Sequence, residues 1–131
     1  MKYLLDTDIC IYLLRSREVH LEPLERLTPG DVGMSAVTAG ELVFGAYKSQ
    51  RVEENLIAAR ALQEAIPVVA LTTQTAEVYG LIRAVLERKG TPIGANDLWI
   101  AAHALSLGLT LVTRNTREFS RVEGLRVEYW L

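Results

Sequence analysis

Apolar residues along this chain fall into two alternating patterns: short continuous runs, and longer stretches where they recur every third or fourth position. The runs suit strands buried on both faces, and the stretches suit amphipathic helices laid over them. Strands are expected at Tyr3-Leu4-Leu5, Val32-Gly33-Met34-Ser35, Val68-Val69-Ala70-Leu71, Leu109-Thr110-Leu111-Val112 and residues 125–129. Helices are expected over residues 9–14, 19–27, 38–47, 52–65, 76–89 and 95–107. Pro29-Gly30, Pro67, Gly90 and Gly108 stop four of them. Thr7 or Asp8 is available to cap the first helix, and Leu42, Val43, Ala46 and Tyr47 share one face of the third. Leu98, Ala101, Ala102 and Leu105 follow the i, i+3, i+4, i+7 spacing of a core-facing helix, and Pro92-Ile93-Gly94 reads as a turn or brief strand. Such alternation predicts an α/β fold in three layers, a parallel sheet of about five strands flanked by helices. No repeat, low-complexity tract or linker interrupts it, so residues 1–131 read as a single domain.

Composition narrows the class without naming a function. With 131 residues, half of them hydrophobic, one core can form without disulfides or structural metal. No apolar run approaches the roughly 20 residues that span a bilayer, and Asp6 interrupts the apolar start where a signal peptide would continue. The single cysteine, Cys10, allows no intrachain disulfide and suits a reducing cytoplasm. Its neighbours Ile9, Ile11 and Leu13 mark it as a packing residue. A net charge of −2 does not announce a nucleic-acid binder, although Arg114, Arg117, Arg121 and Arg126 gather in the last segment.

The acids carry more. In a parallel α/β sheet all strand C-termini line one edge, and ligands bind in the crevice there. Asp6 ends the first strand, Glu41 lies early in the helix after the second, Asp97 opens the helix before the fourth, and Glu118 follows that strand. Each of the first three stands in apolar company: Leu4-Leu5 before Asp6, Leu42-Val43-Phe44 after Glu41, Leu98-Trp99-Ile100 after Asp97. Alone, Asp97 would serve as a first-turn acid complementing the helix dipole, and Glu41 as a surface helix residue. Jointly, half-buried carboxylates repel and lose hydration, which calls for a cation. Hard oxygen donors without a Cys or His cluster favour Mg²⁺ or Mn²⁺ over zinc. Glu53, Glu54, Glu64, Glu77 and Glu87 sit on helix bodies and read as solvated faces.

The same segments resemble a known family. Leu5-Asp6-Thr7-Asp8-Ile9-Cys10-Ile11-Tyr12-Leu13-Leu14 is similar to the opening of the VapC toxins, which belong to the PIN-domain ribonucleases. Ser35-Ala36-Val37-Thr38-Ala39-Gly40-Glu41-Leu42-Val43-Phe44-Gly45-Ala46 resembles their second acidic motif. Residues 93–105, with Asn96-Asp97-Leu98-Trp99, resemble the third, and Leu111-Val112-Thr113-Arg114-Asn115-Thr116-Arg117-Glu118-Phe119 the fourth. The likeness is collinear over nearly the whole chain. It implies a Mg²⁺-dependent endoribonuclease, with Mn²⁺ as a possible substitute, that cuts structured RNA. Initiator tRNA, cut in its anticodon stem-loop, is the leading target.

The resemblance further implies a VapB-like antitoxin that covers the acid groove, a homodimer, and a toxin–antitoxin hetero-oligomer. By motif position, Asp6, Glu41 and Asp97 would be both catalytic and metal-holding. Many members place an aspartate where this chain has Asn115, whereas the VapC-like pattern puts a glutamate at Glu118. Glu118 is therefore taken as the fourth catalytic acid, with Thr113, Asn115 and Asn96 in support. Arg114 and Arg117 flank the acids as candidate RNA contacts.

Remaining residues read more plainly. His103, among alanines on a packing helix, is expected as a core or edge residue, and His20 as surface. Trp99 and Tyr47 are expected to pack rather than stack on bases. A haloacid-dehalogenase-like phosphatase would also open strand-Asp-x-Asp, but it needs a later lysine near the phosphoryl group, and Lys89 is the last one here. A non-catalytic interaction module is disfavoured by the intact acid triad.

Overall fold

Leu4 and Leu5 are adjacent in the chain yet fully buried in different cores, one on each side of a sheet. The computed structural model describes residues 1–16 and 22–131. Its strands are β1 (Tyr3–Leu5), β2 (Val32–Ser35), β3 (Val68–Val69), β4 (Thr110–Val112) and β5 (Val127–Glu128). The helices are α1 (Thr7–Arg15), α2 (Glu22–Glu25), α3 (Ala36–Lys48), α4 (Val52–Ala65), α5 (Thr73–Arg88), α6 (Ala95–Leu107) and α7 (Thr116–Phe119), with a 3₁₀ turn at Pro29–Asp31. All strand pairs are parallel, in the order β3-β2-β1-β4-β5.

Alternation along the strands sorts the two cores. Leu5, Met34 and Val112 pack with Ile9 and Cys10 of α1, Leu42 of α3 and Ala59 of α4. Leu4 and Leu111 pack with Ile82 and Leu86 of α5, Leu98, Ile100, Ala101, Ala102 and Ala104 of α6, and Phe119. The three-layer α/β expectation is met. Because both faces are covered, the strands need no polar alternation.

The path of the chain creates the crevice. From β1 it moves outward to β2 and β3, and then α5 and α6 carry it back to β4 on the other flank of β1. The order reverses between β1 and β4, the position where an open parallel sheet leaves room for a ligand. Asp6 leaves one of those strands and Thr113 the other.

Several boundaries differ from expectation for physical reasons. Asp6, and not Thr7 or Asp8, caps α1: its backbone is extended and its side chain accepts from the Thr7 N–H. β3 and β5 form the sheet edges, where only one neighbour pairs, and each shortens to two residues. Of the two readings for Pro92-Ile93-Gly94 the brief strand does not form, and Gly94 caps α6. The segment after β4 contains α7, a short helix not among those expected. Tyr47 of α3 is 60% exposed, so the buried stripe of that helix is Thr38, Leu42 and Ala46. Gly108 closes α6 at φ 66°, a left-handed turn that glycine takes without a Cβ penalty. Of the expected helix over 19–27, only α2 lies within the described residues; His20 lies outside them. No helix among the described residues is long and apolar enough to cross a membrane.

Candidate active site

Asp6 is the buried anchor, 4% exposed at the C-terminal end of the central strand. Its Oδ1 accepts from the Thr7 N–H at 2.8 Å and its Oδ2 from the Thr113 hydroxyl at 2.7 Å. That second bond joins the ends of β1 and β4 across the crevice. Burial still pushes the carboxyl up to about 7, with Asp8 and Asp97 raising it further against the two hydrogen bonds.

Thr7, the first residue of α1, donates its hydroxyl to Glu41 Oε1 at 2.7 Å, and its oxygen lies 3.0 Å from the Thr38 hydroxyl. Thr38 and Glu41 stand three residues apart on α3 and so share a helix face. One hydroxyl thereby ties the acid of the second motif to the turn that holds the first.

Asp97 lies in the first turn of α6, half-buried. Burial comes first among the causes that raise it to about 6, followed by the charge of Glu118, a hydrogen bond with that side chain, and the charges of Glu41 and Asp8. Glu118 is itself held: the Gly94 N–H donates to its Oε1 at 3.2 Å, and the Asn115 amide donates to Oε2. Asn115 also donates its N–H to Thr113 Oγ1 at 3.0 Å, linking this corner back to Asp6. Asp97 feels the charges of Glu41 and Glu118, and Asp6 feels that of Asp97, so the expected acids do share one edge.

Asp8 joins them, although the sequence motifs do not mark it as a site residue. Its Oδ2 accepts the Arg114 N–H at 3.1 Å, while Oδ1 is buried without a hydrogen-bond partner. The signal in the sequence is the second acid of Asp-Thr-Asp, which reads as a helix cap until Asp6 is seen to fill that role. Among the expected supporting residues, Thr113 and Asn115 are engaged as described, whereas Asn96 is exposed and its side chain makes no hydrogen bond among the described residues. Arg114 and Arg117 are exposed at this edge. Lys89 is exposed at the end of α5 and does not enter the cluster, which leaves the phosphatase reading without its lysine.

Two expectations about bystanders hold. Cys10 is buried, and burial pushes its thiol up to about 12, so it is inert packing. His103 is 1% exposed and lowered by burial. Its Nε2 lies 3.1 Å from the Ala70 carbonyl, which can only accept, so Nδ1 is left to accept the Ser35 hydroxyl at 2.8 Å. Ser35 caps α3, so His103 fastens the helix of Asp97 to the start of the helix of Glu41.

All donors in the cluster are hard oxygens. The described ion pairs, Arg51–Glu54 and Arg83–Glu87, lie elsewhere. Two carboxyls raised by burial and mutual charge, with a third carrying a partnerless buried oxygen, fit a divalent cation chemically. Among the described residues no three such side chains close into a coordination shell unaided; the acids are spaced around the hydroxyls of Thr7 and Thr113.

The family model for the PIN domain matches residues 3–125. The chain belongs to the PIN-domain family. This PIN domain is 43% identical over 130 residues to the tRNA(fMet)-specific endonuclease VapC of Shigella flexneri, covering 99% of this chain and 98% of that protein. It is 42% identical over 132 residues to ribonuclease VapC1 of Haemophilus influenzae strain R2866, with 99% and 98% covered. Among solved structures, DNA-bound VapBC from Salmonella typhimurium contains a chain that matches it with a TM-score of 0.95 at 40% identity, covering 100% of this chain and 99% of that one. VapBC-1 from nontypeable Haemophilus influenzae matches with a TM-score of 0.91 at 42% identity, covering 99% and 98%. With coverage this complete, the PIN domain sits among the VapC-type ribonuclease toxins, as its four motifs implied.

Proposed function

We propose that the chain is a Mg²⁺- or Mn²⁺-dependent endoribonuclease, the toxin of a toxin–antitoxin pair, that hydrolyses a phosphodiester in a structured RNA. The observation that carries this reading is the convergence of Asp6, Glu41, Asp97 and Glu118 at the β1–β4 crevice. Asp6, Glu41 and Asp97 would hold the ion, and Asp8 adds negative charge beside them. When bound, such an ion supplies Lewis-acid polarisation of a phosphate oxygen and makes a nearby water more acidic. Asp6, fixed by two hydrogen bonds, contributes a rigid oxygen donor. Glu118, beside Asp97, would be the chain's own acceptor for the proton that attacking water gives up. Attack at phosphorus with departure of O3′ leaves a 5′-phosphate and a 3′-hydroxyl. The ribose 2′-OH takes no part, so preference for RNA rests on its shape and unpaired bases.

The name of the Shigella relative supports initiator tRNA as the target, and the resemblance implies a cut in its anticodon stem-loop. The neighbouring structures are of VapBC, which supports a VapB-like antitoxin as partner. A groove of about 220 Å³, with Ile11, Leu14, Leu42 and Ala59 on its walls, reaches Glu41 and suits an apolar helix that carries a basic side chain to the acids. Exposed Phe44, Ile57 and Leu81 supply apolar surface for a homodimer. A cytoplasmic location goes with these partners.

The deciding experiment incubates antitoxin-free protein with total bacterial RNA and Mg²⁺, then maps new 5′ ends. Discrete 5′-phosphate ends that disappear with EDTA are expected. Cleavage that survives chelation, or 5′-hydroxyl ends, would sink the reading.

A further inference from the structure

Beside the acids lies a cavity that this chemistry does not use. It measures about 130 Å³ and is walled by Tyr79, Arg83 and Glu87 of α5 and by Pro92, Ile93 and Ala95 of the turn entering α6. The same turn carries Gly94, whose N–H holds Glu118, and it ends just before Asp97. Cavity and acid cluster therefore border one another through a single stretch of backbone.

The Tyr79 ring is held rigid. Trp99 stacks on one of its faces, with centroids 3.8 Å apart and planes within 10°. Arg83 donates to the Tyr79 hydroxyl at 2.9 Å and is itself steadied by Glu87 at 3.1 Å. Tyr79 also lines the cavity, with the Arg83 guanidinium 6.0 Å from its ring centroid. Arg121, exposed, donates to the Pro92 carbonyl at 3.2 Å and brings a second guanidinium to the rim. The space is well below the roughly 300–1,000 Å³ of sites for drug-sized molecules, so it suits one planar ring system. An aromatic side chain and a proline in one wall, with arginines beside them, is a combination that stacks an unpaired base and meets its phosphates.

We infer that this cavity is a subsite for one unpaired nucleobase next to the scissile phosphate, stacked on Tyr79, with Arg83 and Arg121 meeting the adjoining backbone. The inference rests on the ribonuclease reading and gives it a specificity element. Trp99 acts from behind, as a positioning residue for Tyr79.

The test uses the full chain and a short RNA spanning a mapped cut, with abasic nucleotides placed one at a time around it. One abasic position should raise KM roughly tenfold and leave kcat nearly unchanged. In Tyr79→Leu, KM should already be raised by a similar factor, and the same abasic RNA should cost nothing more. Tyr79→Phe keeps the ring and loses only the Arg83 hydrogen bond, so its KM should rise far less than that of Tyr79→Leu, while Arg83→Gln should also raise KM less and flatten its salt dependence. Abasic RNAs that all behave alike, or losses that multiply in Tyr79→Leu, overturn the subsite. So does an unchanged KM in a Tyr79→Leu protein whose oligomeric mass has altered, which would make the cavity wall a contact between copies. Binding to Asp97→Asn, followed by tryptophan fluorescence, separates the two readings. Wild type that cuts nothing while Tyr79-dependent binding persists overturns the acid-site chemistry alone; normal cleavage indifferent to Tyr79 and to abasic positions overturns the subsite alone.

Discussion

Asp6 and Asp97 are both carboxyls lifted well above the ordinary range, yet they reach that state by different routes. Asp6 is sealed between two strand ends, and both its oxygens are already occupied by donors from Thr7 and Thr113. Asp97 is half-buried and faces another carboxyl, Glu118, with which it shares a hydrogen bond. In the first case the protein has fixed both oxygens in place; in the second it has set one carboxyl against another. Half of the site is therefore scaffold and half is a pair of facing acids, and substitutions should tell them apart.

The largest effects fall on cleavage. Asp6→Ala and Asp97→Asn should each lower the single-turnover rate on the order of a thousandfold, because groups that act as a unit fail together. The double variant should lose little more than either single one. A folded single variant that cuts RNA at the wild-type rate removes that residue from the site.

Within the facing pair, Glu118→Gln should slow cleavage more than Asn115→Ala, roughly a hundredfold against tenfold. Glu118 supplies the charge, and Asn115 only orients it through one hydrogen bond. Rates measured with saturating RNA decide the order, and a larger loss at Asn115 reverses the assignment of the fourth acid.

Much of this is legible in the chain itself, and the limits are instructive. Asp6, Glu41, Asp97 and Glu118 can be placed at one edge because a parallel sheet fixes where strands end, whatever the side chains do. The bridges cannot. That Thr7 reaches Glu41, or that Thr113 closes on Asp6, depends on how α1 and α3 pack to within an ångström, which periodicity does not encode. Asp8 is hidden by a plausible duty as a cap, and α7 by being too short for any helical period to reveal. Tyr47 misleads because an apolar ring at helical spacing looks like core even where it faces solvent.

Stability without metal sharpens the contrast further. Both carboxyls titrate above 3.8, Asp6 at about 7 and Asp97 at about 6. The folded protein thus binds more protons than the unfolded chain through that window. The contribution is a full penalty above the raised pKa, and it fades as pH falls towards the unfolded value. In EDTA the protein should melt higher near pH 5.5 than near pH 7.5. Asp97→Asn should raise the metal-free Tm at pH 7.5 by roughly 3–6 °C and lose most of the gain that millimolar Mg²⁺ gives wild type. Asp6→Asn should gain less or nothing, since its new amide would face one of two donors and leave it unmatched. Asp97→Asn that melts below wild type without metal marks Asp97 as a helix-start residue and not a ligand.

The smallest expected effect concerns RNA binding at the rim of the scaffold half. The Arg114 N–H is held by Asp8, so its side chain springs from a backbone fixed to the acid edge, whereas exposed Arg117 belongs to the short helix α7. A phosphate lying on the acids should therefore meet Arg114 first. Removing one cation that neutralises a phosphate should flatten the dependence of log affinity on log salt by about 0.7 for single-stranded RNA and about 0.9 for a duplex. Arg114→Ala in the inert Asp97→Asn background should show a change of that size, with a few-fold weaker binding at low salt and little difference at high salt. Arg117→Ala should change the slope less. Equal slopes with and without Arg114→Ala in that background, measured by titration from low to moderate salt, would make Arg114 ordinary surface charge and leave the rim cations Arg83 and Arg121 to meet the backbone.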